Sequence, residues 1–221
     1  MDGDNGTLMP ADTDGFVRDT VLSCRLFTEP EEEVKYYGDR RRGEWDRDSD
    51  EITLLIQYFN NCLLSGDPAD LDVARRAFLR LSEKDDDALL EVLSLVMVSR
   101  LDASELIGLM NPDGGQPEFR RYALAVACGQ FQEALKGERR DAVFSALKAK
   151  FRSMMNVSDP RLHEEAIIFA EFRDQRAIPL LRRYAISLAK EAGQPGALHE
   201  ILRLITDIGG NVDDIAGGDF L

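Results

Sequence analysis

The sequence predicts an all-α protein, and three observations support that class. From about residue 50 onward, apolar residues recur at steps of three and four, the spacing that lines one side of a helix. No run in this part of the chain alternates strictly between apolar and polar residues, as a half-buried strand would. Pairs of Asp or Asn with Pro, which favour helix starts, recur at Asp67-Pro68, Asn111-Pro112 and Asp159-Pro160, at spacings of 44 and 48 residues.

The beginning of the chain differs in composition from the rest. Residues 1–50 carry 7 Lys and Arg against 14 Asp and Glu, and hold few apolar residues at helical spacing. A short amphipathic piece from Phe16 to Phe27 is expected to dock on the main body as a helix or an extended arm. We therefore predict an irregular acidic arm over residues 1–49 that is partly docked.

Residues 50–210 are predicted to form a domain of helical repeats. The predicted helices cover residues 50–64, 68–81, 88–98, 106–110, 118–135, 139–155, 160–172, 174–188 and 197–208. Acidic residues cap several of their starts: Asp67 precedes Pro68, and Asp87 precedes an apolar helix. Because that third helix is apolar nearly all round, it is expected to have neighbours on both sides.

The middle of the domain contains a clear break between helices. Asp102-Ala-Ser-Glu105 resembles a capping box, in which the acid three residues on bonds back to the cap. Asn111-Pro-Asp-Gly-Gly-Gln-Pro117 then interrupts the helical pattern. The next helix, 118–135, is predicted to bury the stripe of Phe119, Tyr122, Ala123, Val126, Ala127, Phe131 and Leu135, with Gly137 as its stop.

Two helices joined by a tight turn are predicted over residues 159–188. Asp159 caps the first with Pro160 at its first position, and Asp174 caps the second. Earlier second helices are predicted to start at Asp87 and Asp141 with the same order of acid, short spacer, Ala and apolar pair. The spacing of the Pro pairs suits two-helix solenoid repeats of roughly 40 to 47 residues.

The segment Phe172-Arg-Asp-Gln-Arg-Ala-Ile-Pro-Leu-Leu181 resembles the inter-helix turn and second-helix start of HEAT-like repeats. Resemblance to this HEAT and armadillo group of α-solenoids implies a right-handed α-solenoid of three to four antiparallel helix pairs with a curved binding surface. The specific match covers residues 159–188. An irregular helical bundle remains the alternative architecture.

The chain ends in an acidic segment without periodicity. Gly209-Gly210 stops the last helix, and residues 211–221 are predicted to be a mobile acidic tail. The acids at 213–214 and the terminal Phe220-Leu221 would also suit a docking peptide for a basic, apolar pocket, although a solubilising tail is the favoured interpretation.

The charge distribution gives the candidate binding site. The formal charge of the chain is −14, yet residues 116–192 carry 14 bases against 10 acids, a net of +4. A basic face is expected there if the two helices that hold these residues are neighbours. The candidate binding residues are Arg139, Arg140, Lys148, Arg152, Arg173, Arg176, Arg182 and Arg183. The alternative, in which acids of residues 51–115 or of the tail neutralise this face, stays open.

The sequence points away from several classes of function. It contains no nucleotide-binding, zinc-protease or hydrolase motif, so we expect a protein that is not an enzyme and uses no cofactor. Three widely spaced cysteines indicate buried free thiols, and His163 and His199 are expected to be surface residues. The acidic N-terminus and the absence of a long apolar run predict a cytoplasmic protein with no membrane partner.

The predicted function is a scaffold or adaptor for protein–protein interaction. Its partner would be another protein or a second copy of the chain, held on the curved face of the repeats. The alternative is a binder of nucleic acid or another polyanion through the basic 139–183 face.

Overall fold

The computed structural model describes residues 56, 59–60, 68–83, 87–190 and 195–216. Over these residues the chain is helical with connecting turns and has no β-strand, so the all-α prediction is confirmed for them. The predicted N-terminal arm and most of the first predicted helix lie outside the described residues. The described helices are α1 (Pro68–Arg80), α2 (Asp87–Arg100), α3 (Ala103–Met110), α4 (Glu118–Gln130), α5 (Gly137–Val157), α6 (Leu162–Glu171), α7 (Ile178–Lys190), α8 (Pro195–Asp207) and α9 (Asp213–Ala216), with a 3₁₀ turn at Gln175–Ala177 before α7.

The chain forms two compact units, Met1–Val96 and Met97–Leu221, and the division falls within α2. In the first unit, α1 begins at Pro68, as the sequence predicts. It buries Val73, Ala74, Ala77 and Phe78, apolar residues at the predicted helical spacing, and Leu81 directly after the helix is also buried. Pro at the first helical position is favourable because the missing amide would have no partner there.

The second unit opens with a capped helix and a loop. The Asp102 carboxylate accepts a hydrogen bond from the Glu105 amide at 2.8 Å, and Glu105 accepts one from the Asp102 amide at 3.2 Å, which confirms the capping box. Asn111 ends α3, and Asn111-Pro112 lies in the loop that follows. The predicted break over residues 111–117 and the helix start at residue 118 are confirmed, because α4 begins at Glu118. The prediction that the Asn111-Pro112 pair itself opens a helix is wrong.

Within α4, the buried face agrees with the predicted stripe only at Ala127. Tyr122 is exposed and Phe119 is half-buried, whereas the helix buries Arg121, Leu124, Ala125, Ala127, Cys128 and Gly129. The spacing 121, 124, 125 and 128 is that of one helix face, and an arginine at its start hides the pattern. Burial raises the pKa of the Cys128 thiol to about 12, as expected for an inert free thiol. Cys24 and Cys62 lie outside the described residues.

Helix α5 is longer than the sequence predicts. It begins at Gly137, whose φ of 58° is in the left-handed region, and Asp141 lies inside it. The prediction of a helix start at Asp141 is therefore wrong. The predicted recurrence of apolar residues at steps of three and four is confirmed in this helix by the burial of Val143, Phe144, Leu147, Phe151 and Met154.

The turn at residues 158–161 delays the start of α6. The Asp159 carboxylate accepts a hydrogen bond from the Arg161 amide at 2.9 Å, so Asp159 and Pro160 form a turn and the helix begins at Leu162. The predicted start is thus two residues early. At the next turn Asp174 does act as a cap, accepting a hydrogen bond from the Arg176 amide at 3.0 Å. The 3₁₀ turn that it caps leads directly into α7.

The main helix contacts of the second unit follow a regular order. Helix α3 contacts α4 and α5. Helix α6 contacts α4, α5 and α8, and helix α7 contacts α8 and α9. Aromatic rings fill the space among α5, α6 and α7: Phe151 lies 5.3 Å from Phe169 and 5.8 Å from Tyr184, measured between ring centroids. Phe144 stacks on Phe169 at 5.6 Å. The core is therefore continuous through these three helices.

The last described helices end the unit with a glycine cap and a docked tail. Gly209 has a φ of 88°, its amide bonds to the Thr206 carbonyl, and the Gly210 amide bonds to the Ile205 carbonyl at 2.8 Å. This Schellman arrangement confirms the predicted stop. The first residues of the predicted mobile tail form α9, in which Ile215 is buried. Residues 217–221 lie outside the described residues.

Candidate functional site

Three of the predicted binding arginines line one open pocket in the second unit. The pocket has a volume of about 740 Å³ and lies among the α6–α7 turn, the start of α5 and the end of α8. Its lining consists of Gln132, Arg140, Arg173, Asp174, Gln175, Arg176, Asp207, Ile208 and Gly209. The lining is mostly polar, with three guanidinium groups and two carboxylates. An anionic ligand is therefore the kind that the pocket suits best.

Arg140 is a structural part of the pocket wall. Its guanidinium donates hydrogen bonds to the carbonyl oxygens of Cys128 at 2.7 Å and Phe172 at 2.9 Å. It also stacks on the Phe172 ring, 4.5 Å from the centroid, and the side chain is only 14% exposed. Because these bonds join the ends of α4 and α6, Arg140 holds the two helix ends together. One N–H on each terminal nitrogen is not used by these bonds.

Arg176 is held by two carboxylates. It makes a two-pronged ion pair with Asp174, with distances of 2.9 and 2.7 Å, and a third contact to Asp141 at 2.8 Å. Its guanidinium lies over the Phe144 ring, 4.4 Å from the centroid. The ion pair fixes the direction of the side chain at the edge of the pocket.

Arg173 is the least committed of the three arginines. Its side chain is half-exposed, and its one ion contact joins Nε to a Glu171 oxygen at 3.9 Å, beyond hydrogen-bond distance. Within the described residues its guanidinium makes no hydrogen bond. Its backbone has a φ of 52°, in the left-handed region that a non-glycine residue occupies only at a cost.

The other predicted binding residues do not join this pocket. Arg139 donates hydrogen bonds to the carbonyl oxygens of Ala134 and Val98, and Arg182 pairs with Asp214 at 2.6 Å and bonds to the Asn211 carbonyl. Lys148 lies over the Phe144 ring at 5.8 Å. Arg152 and Arg183 are exposed and make no ion pair with the described residues. The eight residues thus divide between internal contacts, one pocket and open surface.

A second cluster of bases is paired with acids of the same unit. Lys150 contacts Asp113 at 2.5 Å, and Arg161 contacts Asp113 at 3.2 Å and Asp159 at 3.0 Å. Arg161 was not among the predicted binding residues, although it lies in the same basic section. Much of the positive charge of this section is therefore compensated locally.

We expect the free energy of unfolding to decrease as the pH falls below about 4, the ordinary pKa of aspartate. Hydrogen bonds from Arg161 lower the pKa of Asp159, and hydrogen bonds from Arg176 lower that of Asp174. Because each carboxylate has a lower pKa in the folded protein than in the unfolded chain, its contribution is present above the unfolded-state pKa. It is lost as the pH falls through the folded-state pKa.

Urea denaturation at a series of acid pH values measures this loss. The Asp174→Asn variant, which cannot ionise at this position, should show a smaller decrease between pH 5 and the acid end than the native chain. An unchanged slope would contradict the role of the Arg176 ion pair.

The predicted surface histidine His163 takes part in a polar contact between helices. Its Nε2 lies 3.1 Å from a Glu200 oxygen, and its Nδ1 lies 3.5 Å from the hydroxyl of Tyr184. These contacts connect α6 with α8 and α7. In the described part of the chain, no group of three or more His, Cys, Asp or Glu side chains is arranged to hold a metal ion.

A buried ion pair was missed by the sequence interpretation. Arg121 of α4 donates a hydrogen bond to Glu165 of α6, and both side chains are 4% exposed. Burial raises the pKa of the Glu165 carboxyl, and the Arg121 guanidinium offsets part of that effect. The signal in the sequence was that each charge shares its helix face with apolar residues, at positions 124, 125 and 128 and at 168, 169 and 172.

Comparison of the chain with protein-family models, curated proteins and solved structures finds no match. Among the helices that the structure describes, none has the length and apolar character that crossing a membrane requires.

Proposed function

We propose that the chain is a non-enzymatic interaction module, in which stacked helix pairs hold a protein partner or a second copy of the chain. The observation that carries this proposal is the order of helix contacts within Met97–Leu221. Contacts link α4 to α6 and α6 to α8, while α3 contacts α5. Contacts of α3 with α4 and of α5 with α6 connect these two rows, and α7 contacts α8.

This order supports a HEAT-like α-solenoid of three helix pairs in the second unit. In a solenoid each repeat packs mainly on the repeats next to it in the chain, and one row of helices is left to form an extended binding surface. The pairs would be α3–α4, α5–α6 and α7–α8, which differ from the predicted pairing of α6 with α7. The turn between those two helices then connects successive repeats and contributes to the arginine pocket.

The alternative function, binding of nucleic acid through the basic 139–183 face, receives less support. Arg139, Arg140, Arg176 and Arg182 already donate to carbonyls or carboxylates of the same unit. A polyanion would have to displace these contacts, because bases neutralise phosphates, and so release the counterions of the nucleic acid, only when they are free to contact them. Among the described arginines of this face, the exposed ones that make no hydrogen bond and remain for such a ligand are Arg152, Arg173 and Arg183.

Affinity capture with the full-length chain, before and after nuclease treatment, tests the proposed function. We expect one protein, or the chain itself, to be recovered in near-stoichiometric amount, and recovery to persist after nuclease. The double variant Arg152→Gln/Arg183→Gln should capture the same protein equally well. Recovery that requires nucleic acid and is lost in this variant would support the alternative. Recovery of nothing, from a chain that is also monomeric by light scattering, would overturn the proposal.

A further inference from the structure

We propose that the arginine pocket binds an acidic side chain, a carboxylate or a phosphoryl group, on a peptide segment of the protein partner, and that Arg173 is its main contact. This inference rests on the proposed function and adds the chemistry of the bound segment. Guanidinium groups match the paired oxygens of both anions, so the two sources share one recognition chemistry.

The backbone at Arg173 supports a role for its side chain. Glycine adopts a φ of 52° at no steric cost, whereas arginine does not. The turn itself needs this conformation, because the Arg173 amide bonds to the Ala170 carbonyl at 2.9 Å and Asp174 must cap the next turn. The arginine stem approaches Gly129, but the guanidinium gains no hydrogen bond in return. A residue that is unfavourable for its backbone conformation, and whose charged group makes no hydrogen bond beside a pocket, is typical of a binding position.

The neighbours of Arg173 are arranged for an anion. Arg140 and Arg176 are held in place by their own bonds and keep unused N–H groups, so they lose little freedom when a ligand binds. The amide side chains of Gln132 and Gln175 also line the pocket and can donate hydrogen bonds. A volume of about 740 Å³ has room for a peptide side chain with adjoining backbone.

The two carboxylates in the lining favour a peptide over nucleic acid. Asp174 is ion-paired with Arg176, and Asp207, which also lines the pocket, lies 3.4 Å from Arg203. A ligand with one or two localised negative charges can contact the arginines and avoid these carboxylates. A backbone that carries a phosphate at every step cannot avoid them as readily, and the mismatch disfavours it.

Peptide titration of the full-length chain, followed by amide chemical shifts in NMR spectra, tests this inference. The probes are three Gly-Ser peptides of equal length that carry glutamate, phosphoserine or glutamine at the same positions. We expect the two acidic peptides to shift resonances of residues 173–176 and 207–209, with weaker binding as salt is raised. The glutamine peptide should cause no shift. The acidic peptide that binds more tightly shows whether the natural anion is a carboxylate or a phosphoryl group.

Three variants make the test specific. Arg173→Gln removes the guanidinium and keeps most of the aliphatic stem. Arg173→Gly also removes the steric cost of the left-handed backbone. Each variant should bind the acidic peptides about tenfold more weakly. Arg183→Gln, an exposed arginine outside the pocket, should leave the affinity unchanged. Equal binding by the native chain and both Arg173 variants, or no response to either acidic peptide, would overturn the inference. If the peptide test fails in either way and Arg173→Gln still captures the partner, the proposed function stands and only the pocket assignment fails.

Discussion

The Gly129→Ala variant is expected to be destabilised by about 3 kcal/mol or more, although alanine is the better helix former. A Cβ atom at Gly129 would lie 2.1 Å from the carbonyl oxygen of Glu171 and 3.2 Å from the Phe172 carbonyl carbon. These are backbone atoms, so no side-chain rotation relieves the overlap. The ends of α4 and α6 would have to separate, and the hydrogen bonds that Arg140 makes to both ends would be strained.

A matched control is available in the same unit. Gly108 lies in α3, is exposed, and has no atom within 4 Å of the position that a Cβ would take. Gly108→Ala should therefore stabilise the protein by up to about 1 kcal/mol, the intrinsic helix preference of alanine over glycine. Urea denaturation followed by far-ultraviolet circular dichroism compares the two variants. Equal effects at the two positions would show that the close approach at Gly129 does not exist in solution.

The features that the sequence predicted correctly are those decided by local chemistry. The capping box at Asp102 and the cap at Asp174 depend on residues three or two positions apart. The apolar stripes of α1 and α5 follow from a helical period with no charged residue on the buried side. Such patterns can be recognised without knowing which element packs on which.

The features that the sequence did not predict depend on distant parts of the chain. The face of α4 was assigned to the wrong side because Arg121 is charged, and its burial makes sense only when Glu165 lies opposite. Likewise, Asn111-Pro112 and Asp159-Pro160 have the composition of helix starts, but the chain uses both pairs in turns. Pro fits a turn as well as the first residue of a helix, so composition does not separate the two.

The candidate site was predicted in part. The basic section between residues 139 and 183 does contain the pocket arginines, and their charge was visible in the sequence. Spacing along the chain did not show that Arg140 is occupied by two carbonyls while Arg173 is not. That difference arises because the ends of α4 and α6 meet, and it determines which arginine is left for a ligand.

Removing the Glu165 carboxylate is expected to cost about 3–5 kcal/mol of unfolding free energy, the range for breaking a buried ion pair. In Glu165→Ala, the Arg121 guanidinium would remain in the α4–α6 contact without its partner. Its Nε already lacks a hydrogen-bond acceptor within the described structure, so the site offers no ready substitute. Glu165→Gln should lose less, because the amide oxygen can still accept a hydrogen bond. Urea denaturation at neutral pH measures each loss.

An exposed ion pair provides the comparison. Glu133 contacts Lys136 at 3.2 Å with both side chains largely in solvent, and Glu133→Ala should change the stability by about 0.5 kcal/mol or less. A loss for Glu165→Ala that is no larger than this would mean that water reaches the Arg121 site.

The double variant Arg121→Met/Glu165→Met separates the value of the ion pair from the cost of breaking it. Both charges are then absent, and two flexible apolar side chains of similar length fill the contact between α4 and α6. Since the desolvation of both charges is also avoided, we expect the double variant to recover most of the stability that Glu165→Ala loses. A double variant as unstable as the single one would instead indicate that the directed hydrogen bond, and not the balance of charge, determines how α4 and α6 pack.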